Sequence, residues 1–174
     1  MKKQLIGKII LGAAIVFAIV GFALKFGGTT LQGVNPDEVH NNLVTLVQEV
    51  MDKEQIFYDE YWVLVDEGDT SLFMKGLDDF DSAYLGLDAY MNDTDFSVEH
   101  DPVVKVYGEK YKPFMGEYLA YAQEFSDFVK KDGFLFEKAE PFLPKMQEFT
   151  DQFVDVNNEL VLTMNSLIKV SEIQ

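Results

Sequence analysis

Between Asp93 and Asp101 the chain sets oxygen-bearing side chains at alternate positions, Asp93, Asp95, Ser97 and Glu99. A hard cation gathers roughly six to eight oxygens, so this spacing is the clearest pointer to metal chemistry, and calcium is the ion it would suit. The run then departs from a calcium loop. Its sixth position is Val98, where a sharp turn wants glycine, and its twelfth is Val104, where a bidentate glutamate would close the shell. The segment reads first as a solvated acidic connection and second as a calcium site, and no other cofactor is implied.

Imidazole chemistry has little to work with. His40 and His100 are the only histidines, and neither stands in a Glu-x-x-His pair of the kind that builds a di-metal carboxylate centre in a helical bundle. Asp37-x-x-His40 is the nearest approach, and a capping role in the first turn of a helix explains both residues. There is no cysteine, which removes thiolate nucleophiles, disulfides and Cys-ligated zinc together. There is also no glycine-rich phosphate loop, no His-Glu-x-x-His and no specific Ser/His/Asp pattern. No catalytic residue is nominated, and the chain is expected not to be an enzyme.

Two aromatic groupings remain. Tyr107, Tyr111 and Tyr118 share an apolar arc with Phe114, Tyr121, Phe125 and Phe128. The arc reads chiefly as core, but each buried phenol needs a partner for its hydroxyl, so these tyrosines are also the candidates for lining a small-ligand pocket. Tyr58, Tyr61 and Trp62 with Phe57 make a cluster wider than a core stripe requires. Tyr58 and Trp62 are therefore expected at the surface, as a protein interface.

Charge narrows the partners. The chain of 174 residues carries 30 acids against 14 basic residues, all of them lysine, for a formal charge of -16. Lys2, Lys3, Lys8 and Lys25 precede the first acid, Asp37, which leaves 10 lysines against 30 acids from Phe26 onward, a charge of -20. A polyanionic body of this kind is unsuited to nucleic acid and to lying flat on anionic lipid. Without arginine there is no bidentate guanidinium clamp for phosphate or carboxylate.

The elements that must position these residues begin with a membrane segment. Ile9 to Leu24 is a run of 16 uncharged, almost wholly apolar residues behind Lys2, Lys3 and Lys8. Such a run spans roughly 24 Å, and Leu5, Ile6 and Phe26 extend it if Lys8 snorkels. Residues 1–26 are read as an N-terminal membrane anchor that contacts the bilayer through residues 5–26. The lysine-rich flank stays in the cytoplasm and the body lies outside. Cleavage as a signal peptide, with Gly21 and Ala23 at the small-residue positions, is the competing outcome and would make the body secreted. Residues 27–35 read as a flexible spacer and residues 36–174 as one extracytoplasmic domain.

Within that domain four helical patterns recur. Asn35-Pro36-Asp37-Glu38 starts the first, whose apolar positions Val39, Leu43, Leu46, Val47, Val50, Phe57, Tyr61 and Leu64 run to Gly68. Asp69-Thr70-Ser71 caps a second, with Phe73, Leu77, Phe80, Tyr84, Leu87 and Met91 at alternating spacings of four and three. Asp101-Pro102 opens a third, carrying Val104, Tyr107, Tyr111, Phe114, Tyr118, Ala122, Phe125 and Val129 to Gly133. Pro113 should kink or split it. A fourth starts near Pro141 or Pro144 and carries Phe142, Met146, Phe149, Phe153, Val156, Leu160, Met164 and Leu167.

No stretch alternates like a strand, and short connections force antiparallel neighbours. The expected fold is all-α, an antiparallel up-down-up-down four-helix bundle preceded by one N-terminal transmembrane helix. The expected role is a non-enzymatic protein-interaction or structural module of the bacterial cell envelope with a protein partner, or alternatively a small-ligand or calcium-binding domain.

Overall fold

The computed structural model describes residues 36–171. Its first helix, α1 (Pro36–Glu67), stops where Gly68 takes φ 76° and its N–H bonds the Leu64 carbonyl at 2.8 Å. A left-handed residue there is a glycine's role, because it carries no Cβ to clash. Asp69 then caps α2 (Thr70–Asp93), its carboxylate accepting from the Ser71 backbone N–H at 2.9 Å and the Ser71 hydroxyl at 2.7 Å.

The third column is helical from Val98 to Asp132. It consists of a 3₁₀ turn (Val98–His100), α3 (Asp101–Val106), a π-helical turn (Tyr107–Tyr111) and α4 (Lys112–Asp132). Pro113 does not split it. In a continuous α-helix its ring would meet the carbonyl of Glu109 and one hydrogen bond would be lost. The chain widens just ahead of it instead, with the Lys112 N–H reaching back five residues to the Tyr107 carbonyl. Gly133, at φ 69°, ends the column. The fourth column follows as α5 (Phe136–Ala139), a 3₁₀ turn (Glu140–Phe142) and α6 (Leu143–Ser171).

The described residues are all-α, four helical columns with no strand, and the contacts give their directions. Tyr90 near the end of α2 bonds Val39 near the start of α1, while Lys53 pairs with Asp79. Lys112 pairs with Asp88, and Ser126 near the end of α4 donates to Met74 near the start of α2. Lys110 meets Glu159, and the Phe125 ring lies 5.1 Å from that of Phe142. Tyr58 of α1 donates to Gln147 of α6 at 2.8 Å and joins the first column to the last. Neighbours are therefore antiparallel. Gly76 marks a close backbone approach of α2 to α1, since a Cβ there would sit 3.2 Å from the Phe57 Cα.

One apolar cluster fills the interior. Most positions picked by periodicity are in it or packed against it, with two differences on the third column, where Val103 and Met115 are buried and Val104 is exposed. The π-turn accounts for both, because one extra residue in the screw rotates the helical face. Among the described residues no helix is long and apolar enough to cross a membrane. The anchor expected at residues 1–26, the spacer at 27–35 and the side chain of Asp37 lie outside what is described.

Candidate functional site

Periodicity leaves a gap in α1 between Val50 and Phe57, and the residue that fills it is Glu54. It lies four positions after one core residue and three before the next, and it is only 5% exposed. A carboxyl group there must find a hydrogen bond. The Tyr118 hydroxyl, from α4, donates to its Oε1 at 2.9 Å and lies 3.1 Å from the Thr150 hydroxyl of α6, which donates to the Met146 carbonyl at 3.2 Å. Three columns thus meet in one polar layer.

Aromatic rings close this layer. Tyr118 stacks on Phe149 with centroids 5.3 Å apart, meets Phe80 edge-on at 5.5 Å, and packs on Phe57 and Phe153, both at 6.3 Å. Burial among them pushes the Glu54 carboxyl up to about 8; the Tyr118 bond opposes the rise and the charge of Asp59 adds to it. Burial and the neighbouring acid together hold the Tyr118 phenol well above its ordinary value. At neutral pH this is a neutral acid beside a neutral phenol. Such a pair can hold or release one proton as pH changes.

A second polar layer lies closer to the start of the bundle. Tyr111 is fully buried, and its hydroxyl has no hydrogen-bond partner. Asn157, 1% exposed, has neither its amide nitrogen nor its oxygen paired. The Gln48 Oε1 is also buried and unpaired, while its Nε2 donates to Asp52 at 2.7 Å. Tyr107 donates to Asp88 at 2.8 Å, and Lys112 bonds the same carboxylate oxygen at 2.7 Å.

All three pocket tyrosines, Tyr107, Tyr111 and Tyr118, are therefore interior. Tyr118 belongs to the first layer, while Tyr107 and Tyr111 stack on each other at 5.6 Å in the second. Glu54, Thr150 and Asn157 were missed by sequence reasoning. The signal available was a polar residue at a helical position where its neighbours at three and four residues are core.

The expected surface pair must be corrected. Tyr58 is 3% exposed and bonded to Gln147, and Tyr61 is buried beside it. Trp62 is half-buried, edge-on to both at 6.1 and 5.4 Å. The fourth column covers the face that α1 alone leaves open, which is why the cluster can be wide and still be interior.

In the acidic connection, Asp93 is the last residue of α2, and Asp95, Ser97 and Glu99 are exposed. The Ser97 hydroxyl lies 2.9 Å from Nδ1 of buried His100, and Phe96 packs between Tyr90 and His100 at 6.1 and 5.6 Å. Among the described residues no three His, Asp or Glu side chains gather as a metal site would require.

No family model, curated protein or solved structure matches the chain.

Proposed function

We propose that the protein is a membrane-tethered, non-enzymatic helical-bundle module of the cell envelope, anchored through residues 5–26, which presents the far end of its acidic extracytoplasmic bundle to a protein partner. The observation that carries this reading is the exposed apolar tip. Leu135 and Phe136 are 52% and 51% exposed, Leu72 is exposed beside the other turn at the same end, and Phe134 is half-buried. Helix α1 has 32 residues, which sets that end about 48 Å from residue 36. Large apolar side chains at a bundle end, held by two tight glycine turns, are suited to filling a partner's pocket. The charge of -20 beyond Phe26 favours a partner with a basic rim.

The test is a photo-crosslinking residue placed at Phe136, and separately at exposed Leu85 in mid-column, in the full chain in cells. A discrete adduct from position 136 and none from 85 is the expected result. Adducts from both alike, or from neither, would overturn the reading. Intact mass and protease treatment of whole cells test the tether. A mature chain starting near Leu24 removes the anchor, and protection of the body reverses the orientation.

A further inference from the structure

We propose that the second polar layer, between Tyr111 and Asn157, is an internal binding site for one small neutral molecule that both donates and accepts hydrogen bonds. The two residues stand at the same level of the bundle by register. Lys110 meets Glu159 at 2.6 Å and Tyr118 meets Thr150 at 3.1 Å, which places Tyr111 and Asn157 level between those contacts on facing columns. Both are essentially fully buried, and three polar atoms, the Tyr111 hydroxyl and both ends of the Asn157 amide, have no partner within the protein.

Each unpaired buried donor or acceptor carries a desolvation cost, whereas the first layer spends its polar groups on one another. An amide offers a donor and an acceptor side by side and a phenol offers a donor, so the complementary molecule carries at least one of each. The π-helical turn lies at this same level and interrupts the α-geometry of the third column between α3 and α4, a distortion that recurs at functional sites.

The surroundings set the charge of the occupant. The ionisable groups acting on Tyr111 are Tyr84 and Glu54, both neutral at pH 7, and burial keeps the Tyr111 phenol protonated. The charged groups of this layer and beside it, Asp88 with Lys112 and Glu159 with Lys110, already pair with one another, so a neutral molecule is preferred over an ion. Water is the smallest occupant and a small alcohol or amide the next, and they share this chemistry.

Tyr111→Phe and Asn157→Leu in the full chain in detergent test the site. If these atoms hold a bound molecule, each substitution lowers the melting temperature, and the double variant loses less than the sum because both lose the same partner. If the atoms are merely orphaned, removing them relieves a cost, and a raised or unchanged melting temperature in Tyr111→Phe overturns the proposal. That variant removes one oxygen and keeps the ring, so it stays informative should Asn157→Leu fail to fold. The source is read separately. A mass excess in native mass spectrometry that disappears in Tyr111→Phe identifies an organic occupant. A magnetisation-transfer peak between water and the Asn157 amide, with no mass excess, identifies water.

Discussion

The two buried polar layers sit in the same bundle, roughly two helical turns apart, and differ in how they are satisfied. Glu54, Tyr118 and Thr150 bond to one another across three columns, inside a box of phenyl rings. Tyr111 and Asn157 share the same degree of burial and leave three polar atoms unpaired. Burial alone therefore does not decide what a polar residue does in a helical core. The first layer fixes the register of its own helices, and the second has bonding capacity left for something else.

The largest expected effect comes from dismantling the box around the first layer. Phe80→Ala and Phe153→Ala each remove a ring that packs on Tyr118 and on the other, 6.0 Å apart, and each should cost about 3 to 5 kcal/mol in chemical denaturation. A change within about 0.5 kcal/mol would mean that the layer is not held by those rings.

Next is the proton on Glu54. Its pKa is raised in the folded state, to about 8 from an ordinary value of 4.5, so its contribution to stability is complete below the unfolded value and is lost as pH rises through the folded one. At about 1.4 kcal/mol per unit, the loss amounts to a few kcal/mol between acid and pH 8. Relief of repulsion among surface acids acts in the same direction, so the informative quantity is the difference between wild type and Glu54→Gln. The variant should be the more stable at pH 8 and should match wild type near pH 4. Parallel stability curves for the two proteins would show that Glu54 does not carry this proton.

Tyr118→Phe should cost about 1 to 3 kcal/mol, because it leaves the Glu54 carboxyl buried without its donor. It should also raise the Glu54 pKa further, since the bond it removes favours the ionised form. Read beside Tyr111→Phe, this substitution separates a hydroxyl satisfied by protein from one satisfied by an occupant.

The smallest effect concerns the surface rather than either layer. Calcium compared with magnesium at equal ionic strength should differ in its effect on melting only if the connection holding Asp93, Asp95, Ser97 and Glu99 binds calcium, and Asp95→Asn should then abolish the difference. Equal responses to the two ions leave charge screening as the whole effect.

Much of this is legible in the sequence. The steps of three and four in α1, α2 and α6 mark the core, and the glycines at 68 and 133 mark two of its turns. Hidden from periodicity was the identity of residues inside the stripe that are not apolar. Glu54 and Asn157 lie on core faces, but a reading that collects hydrophobic residues passes over them. The exposure of Tyr58 was misjudged for the opposite reason, because the width of an aromatic cluster on one helix says nothing about how much of it a neighbouring column covers. The third column carried a readable clue. Val103, Tyr107, Tyr111 and Met115 are all buried at successive steps of four, a drift that an unbroken α-helix cannot sustain and that a π-turn absorbs.

That turn makes the third column a screw with a phase slip of one residue. Everything before Tyr107 is indexed to the bundle one position out of step with everything after Tyr111, and the slip alone brings both halves to face the same way. A Cβ placed on Gly108, inside the turn, would meet no other part of the bundle within 4 Å, so deleting this residue would remove the slip while taking away no side-chain packing. The threads on either side would then disagree by about a hundred degrees, roughly one residue of rotation. The bundle could restore Val103 and Tyr107 to its interior only by turning the whole start of the column, Pro102 and the acidic connection included.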